Sequence, residues 1–446
     1  VTFNGSVTNN GEISGSFGEL TFSGTYGSST NATAKLTASS GSTYFYSDAN
    51  FSYTTFDANN GTALFNSATG QTLTLPNNTV SFNNVTLTDT GTTYLLTVKG
   101  TLNINGTLTT GTNRTLDMQT NNSALNVVGI TDNSGEIKLG SQPAQFTGAV
   151  TNSGTITGGS RAVTFGGNVT NDGKITASDG AVTFGGNVTN DGEINGSSGE
   201  ITFSGTYGSS TATETTPAKL TASSGNTNFS SDADFSYTTF TANSGTVLFN
   251  STVTTGQKVT LPNNTVSFNK ITIQTSAGGF TAEGTESGNL SANKLTLALA
   301  STNVGAVFNV PVTAETIENT SGNFDITFNA ATTVTTPVTF GTTGMLTLGN
   351  DTTNTLTFAG GITHTQGNTT LCGKIITNSL PVVLSSDANI KTLTLTGNST
   401  IQTTGAVGNE TVAAITLGAV SAVSSVSGEE KTLSLTGGTG NITVYG

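Results

Sequence analysis

The residues that could do chemistry are few and scattered. Calcium can sit between carboxylates stacked in turns, and "SSDANF" and "SSDADFS" carry one or two carboxylates each, which makes Asp232 and Asp234 the best metal candidates. A turn capped by aspartate accounts for both segments more simply, and the nonapeptide pattern of calcium-binding rolls is absent, so no metal and no cofactor are expected. Paired carboxylates do acid–base work in glycosidases, and Asp172 and Asp191 occupy equivalent places 19 residues apart. The same place holds Asn10 or Ser153 elsewhere, and the one nearby cation, Lys174, gives way to Glu193 one repeat later. Both aspartates therefore read as turn residues capping their own backbone. His364, alone in "GITHTQGN", reads as an exposed surface histidine. Cys372 alternates with apolar neighbours in "TTLCGKI" and reads as a small core residue, not a reactive thiol. With no nucleophile beside a base and no metal cluster, no catalytic residue is assigned and no enzyme is expected.

The elements that position these residues announce themselves by repetition. In "VTFGGNVTNDGKITASDGAVTFGGNVTNDGEINGSSGEITF" the residues Val163, Val182 and Ile201 are 19 apart, as are Phe165, Phe184 and Phe203. A second column holds Val150, Val169 and Val188, and a third Ile137, Ile156, Ile175 and Ile194. Between them lies Asn-Ser-Gly or Asn-Asp-Gly, from Asn133 to Gly192. A period near twenty is the mark of a solenoid. Apolar residues two apart with threonine between them alternate as a strand does, and Asn and Gly suit turns because they tolerate positive φ. The expected fold is all-β, a right-handed parallel β-helix (β-solenoid) with coils of about 19 residues or more, in which Phe stacks on Phe, Val on Val and Asn on Asn. Thr164, Thr183 and Thr202 would then stack outward, like the flat arrays of ice-binding solenoids, although threonine is also the ordinary solvent-facing strand residue.

Composition agrees. The 446 residues include 56 Gly and 23 Phe, one Cys and no Trp, and only 9% are charged. Phenylalanines recurring in register argue against disorder. A net charge of −13 argues against nucleic acid and anionic membrane as partners. A lone cysteine excludes an intrachain disulfide framework, and no apolar run approaches the ~18 residues of a membrane helix. Val1 is not an initiating methionine, so the chain is expected to be a processed or excised piece.

The domain organisation is read as one continuous solenoid over 1–446, with regular 19-residue coils at 125–203 and irregular coils at 280–446. A longer duplication overlies the short one: 18–87 returns as 199–273, with small insertions at "TATETTPAK" and "NSTVTTGQK" that read as loops. The segment 410–431 could hold a helical turn, although its Val and Ser content disfavours one.

Tandem "GNVTNDGKI", "VTNSGTI" and "TLTFAGGI" units resemble the passenger regions of bacterial autotransporters and filamentous-haemagglutinin-like adhesins. The resemblance covers nearly the whole chain and rests on repeat grammar. It implies an exported bacterial surface protein, extracellular, with a structural or adhesive role and a receptor or glycan on a host or neighbouring cell as partner. The alternative is a self-assembling filament or surface-layer subunit whose partner is another copy of itself, and a polysaccharide-acting β-helix enzyme is a remote third. For self-assembly the residues of interest are Val1 and Phe3 at one end and Ile442 and Val444 at the other, the last two as candidate core residues.

Overall fold

Threonine-spaced apolar pairs do form strands, and in the computed structural model every paired strand among the described residues runs parallel to its neighbour. The structure describes residues 1–29, 34–76, 80–88, 91–275, 277–284, 287–300, 304–385, 391–403, 413–422, 430–437 and 440–445. No helix occurs among them. Much of the 410–431 segment lies outside the described residues, which there include the strands Ile415–Leu417 and Ala419–Ala422. The chain is a parallel β-solenoid that divides into two compact units, Val1–Asn226 and Thr227–Gly446.

In the regular part of the first unit each coil has three short strands. Val163–Phe165, Val169–Asn171 and Lys174–Thr176 make one coil, and Val182–Phe184, Val188–Asn190 and Glu193–Asn195 make the next. The sequence columns are the pairing register: Phe165 lies opposite Phe184, Asn171 opposite Asn190 and Ile175 opposite Ile194. Parallel strands repeat about every 4.8 Å, which is close to the offset-stacking distance of aromatic rings. The rings of Phe146, Phe165, Phe184 and Phe203 accordingly stack at 5.1, 5.0 and 5.0 Å with interplanar angles of 9°, 7° and 4°, all fully buried.

The turn glycines serve a different purpose from the one expected. Gly154, Gly173 and Gly192 do not adopt positive φ. A Cβ on Gly173 would stand 2.1 Å from the carbonyl oxygen of Gly154, and one on Gly192 2.1 Å from that of Gly173. Coil-to-coil approach, not a left-handed turn, requires glycine there.

The asparagines before these glycines point inward. Asn133, Asn152, Asn171 and Asn190 are fully buried, and each of the first three donates from Nδ2 to Oδ1 of the next at 2.7 Å. Nδ2 of Asn152 and Asn171 also donates to the carbonyls of Lys174 and Glu193 at 3.2 Å. Each amide thus ties one coil to the next, which meets the rule that buried polar groups be hydrogen-bonded. Asn190 ends the ladder on the Tyr207 hydroxyl (3.2 Å) and the Lys219 carbonyl (3.1 Å). Asn9 makes the same two contacts, with Tyr26 (3.3 Å) and Lys35 (3.0 Å), at the corresponding place of the first copy.

The same elements recur across the long duplication. Ala34–Thr37, Thr54–Asp57 and Thr62–Phe65 answer to Ala218–Thr221, Thr238–Thr241 and Thr246–Phe249, with the same alternation of burial. In both copies a buried glutamine holds a corner: Gln71 Nε2 donates to the carbonyls of Phe45 and Ser47, and Gln257 Nε2 to those of Phe229 and Ser231.

The second unit uses longer strands, among them Thr265–Ile273, Asn289–Leu297 and Thr392–Gln402. The first two pair at one offset from Thr265 and Asn289 to Ile273 and Leu297, and a separate pairing, of Thr369–Ile376 with Thr392–Gln402, shifts register between Leu371 and Gly373. Phe280, Phe308 and Phe328 continue an aromatic core. Ile442 and Val444 fall in register with Ile415 and Leu417, yet they are 46% and 48% exposed. On the described side they stack over the strand Ile415–Leu417. At the other end Phe3 stacks on Phe22 at 5.3 Å, while Val1 is 80% exposed.

Replacing Phe165 with alanine is expected to cost ~3–5 kcal/mol, the usual loss for a buried ring. Asn171→Ala should cost ~1–3 kcal/mol for each buried partner it strands, the Asn152 amide and the Asn190 carbonyl oxygen. Thr170→Ala, on the exposed side of the same strand, should stay within ~0.5 kcal/mol. Urea unfolding midpoints of the three variants check this order.

Candidate functional site

Asp232 and Asp234 lie on the exposed side of the second unit, flanking buried Ala233. Asp232 Oδ1 accepts the Lys258 N–H at 2.8 Å, and Asp234 Oδ1 accepts that of Ser236 at 2.8 Å. Asp234 thus caps its own turn, as expected, whereas Asp232 is held by a backbone donor 26 residues on. The Lys258 ammonium pairs with Glu283 at 2.6 Å, and its pKa is raised by that contact first and by Asp232 and Asp234 more weakly. Asp232, Lys258 and Glu283, with Gln257 and Thr281, line an open cleft of about 370 Å³, and Asp234 is not part of its lining. The cleft holds an ammonium already matched to a carboxylate. Among the described residues no three of His, Cys, Asp and Glu are grouped to hold a metal ion.

Asp191 does not cap its own turn as expected. Its carboxylate reaches the next coil and accepts the N–H groups of Ser210 (2.8 Å), Thr211 (3.0 Å) and Ala212 (3.2 Å) and the Ser210 hydroxyl (2.7 Å). Partial burial opposes its ionisation, but these donors outweigh it and hold the carboxyl down to about 2. The expected insertion loop at 211–217 is thus pinned at its start by one carboxylate. Lys174 and Glu193, neighbours in register, form an ion pair at 3.3 Å, so the alternation of charge between coils is pairing rather than loss of a site.

His364 is not exposed, as its sequence context implied, but fully buried. It ends the strand Ile362–His364, whose inward positions are its first and third. Parity with Ile362 was the available signal, and the polar neighbours masked it. Ser385 donates to the Thr369 hydroxyl (3.0 Å), Thr369 Oγ1 lies 3.0 Å from His364 Nδ1, and Nε2 lies 3.2 Å from the Thr342 carbonyl. Nε2–H must donate to that carbonyl, which leaves Nδ1 to accept from Thr369 in a neutral ring. Burial lowers the histidine pKa, and the Thr342 carbonyl partly offsets this. Cys372 is buried, and burial, with Asp351 second, pushes its thiol up, which suits an inert core residue.

Arg114 escaped notice in the sequence. It is fully buried in the first unit, with its guanidinium carbon 5.0 Å from the centroid of the Tyr94 ring, a cation–π contact. The Tyr94 hydroxyl donates to Gln71 Oε1 at 2.7 Å, and burial pushes this phenol up. Two-residue parity with Leu116 could have placed Arg114 inside, since the strand Arg114–Asp117 alternates over its first three residues. The threonines at 164, 183 and 202 are in register and outward, but the same column continues upstream as Gln145, Asn126 and Asn103, so the array is short.

Two acid responses follow. The unfolded chain protonates His364 near the ordinary 6.5 and the folded chain only at lower pH, so the stability tied to the neutral ring is complete above about 6.5 and lost as pH falls through the folded value. His364 is the chain's one histidine, so its C2–H NMR resonance should titrate below 6.5, and His364→Gln should flatten the fall in Tm between pH 7 and pH 5. For Asp191 the contribution is complete above the ordinary 3.8 and lost as pH falls toward about 2. Asp191→Asn at neutral pH should speed proteolytic nicking within 209–217, read by mass spectrometry. Compared with known protein families, characterised proteins and solved structures, the chain matches none significantly.

Proposed function

We propose that the chain is the non-catalytic structural and adhesive part of a bacterial surface protein, extracellular, of the autotransporter-passenger or filamentous-haemagglutinin-like kind. The observation that carries this reading is where the fold puts its charges. Close carboxylates and ammonium groups are matched between coils on the exposed side: Glu12 with Lys35 (3.1 Å), Lys174 with Glu193 (3.3 Å), Lys258 with Glu283 (2.6 Å) and Lys294 with Glu318 (2.8 Å). Such pairs do little for stability, but each sets an ammonium beside its carboxylate, where glycoside hydrolysis would set a second carboxylate. The interior columns serve stacking, and the outward positions and turns remain for recognition. The partner is then a receptor or glycan on a host or neighbouring cell.

The fluorescently labelled chain should bind epithelial or bacterial cells saturably and release no reducing sugar from plant and bacterial polysaccharides. Sustained sugar release would overturn the non-catalytic reading. Filaments of the purified chain, seen by light scattering and shortened by charged residues at Val1 and Phe3, would replace the adhesive reading with the self-assembling one.

A further inference from the structure

The strand Ser42–Phe45 places Tyr44 outward, and Tyr46 follows two residues on, toward the same side. Their rings lie parallel, with an interplanar angle of 9° and centroids 6.0 Å apart. Tyr44 is half-buried and Tyr46 is 40% exposed. The neighbouring coils put Thr21 and Leu64 opposite Tyr44. Continuing that register sets Ser23 and Asn66 beside Tyr46. The Tyr44 hydroxyl donates to Glu19 Oε1 at 3.4 Å. An aromatic pair is therefore rimmed by a carboxylate, hydroxyls and an amide.

The second copy provides an internal control. Glu19, Thr21 and Ser23 recur as Glu200, Thr202 and Ser204, and Thr62, Leu64 and Asn66 recur with unchanged identity 184 residues later. Phe45, which points into the core, recurs as Phe229. Tyr44 and Tyr46 instead become Asn228 and Ser230. Folding needs the frame and the inward ring, and both copies keep them. Folding does not need the two tyrosines, and only one copy has them.

We propose that the Tyr44–Tyr46 face binds an uncharged, β-linked, gluco-configured oligosaccharide. Such a pyranose carries its hydroxyls equatorially, so both faces of the ring present axial C–H bonds. Those bonds pack against the electron-rich faces of aromatic rings, while the equatorial hydroxyls reach the rim, where Glu19 accepts and Thr21, Ser23 and Asn66 donate or accept. A carboxylate at the rim and a chain of net charge −13 disfavour anionic sugars and nucleic acid. Two rings and short polar side chains fall well below the ~800 Å² per partner of a stable protein interface, which favours a small hydroxylated ligand. The proposal deepens the adhesive reading and rests on it for the ligand's place on a cell surface.

The test titrates cellotetraose and chitotetraose into the full chain by calorimetry and saturation-transfer NMR. The variant is Tyr44→Asn with Tyr46→Ser, the residues that the second copy already tolerates, so its unfolding midpoint should not change. Wild type should bind at least one of the two sugars, and the double variant should lose at least tenfold in affinity. Tyr237→Ser, which removes an exposed tyrosine of the second unit, should leave binding intact. No binding of either sugar by wild type, or equal binding by the double variant, overturns the site. Cell binding that persists without oligosaccharide binding overturns the site alone and leaves the adhesive reading. Oligosaccharide binding without cell binding does the reverse.

Discussion

Parallel pairing of one coil on the next, with equivalent residues in register, is the constraint on which everything else here depends. It fixes a repeat of about 4.8 Å along the stack. Any side chain at a given column must then pack against its own counterpart at that spacing. Phenylalanine does so by ring stacking, at 5.0–5.1 Å between Phe146 and Phe203. The same spacing leaves no room for a Cβ where two turns pass most closely, as at Gly173 over Gly154. Core residue and turn residue are thus selected by one distance.

A stack of this kind has narrow corners that apolar side chains do not fill everywhere. The buried amides of Asn152 and Asn171 resolve this by bonding both to the amide and to a backbone carbonyl of the next coil. A hydrogen bond that repeats identically from coil to coil also fixes register, because a one-residue slip would turn the asparagine outward and bury a neighbour. Where the column changes identity, larger polar groups take over the corner: Tyr207 and Tyr26 close the ladders, and Gln71, Tyr94 and Arg114 form a buried polar series of their own.

Function, on this view, belongs to what the stacking leaves free. Inward positions and close-approach glycines are fully committed to the fold. Outward positions can change without cost to it, and the two long copies show where they have. The frame around Phe45 and Phe229 is kept, whereas the outward tyrosines at 44 and 46 are found in one copy only. The insertion held by Asp191 is a second place where variation is anchored without disturbing the coils.

What the sequence determined by itself was the period, and through it the strand class, the parallel register and the Phe, Val and Ile columns of the interior. These were legible because in a solenoid the decisive contacts join positions one repeat apart, so the tertiary neighbour of Phe165 is written 19 residues later as Phe184. The sequence also displayed the asparagine column, though not that its amides face inward. The residues that occur once were hardest to place from the sequence. His364 and Arg114 have no column to betray them, and their burial follows from strand parity in coils whose neighbours are polar. Tertiary structure decided that Asp191 holds the following coil rather than its own turn, because Ser210 lies one coil on, as Ser29 does over Asn10 in the first copy. It also decided that the turn glycines answer to the coil beneath them and not to their own φ, since a local residue preference cannot report how near another segment of chain will pass.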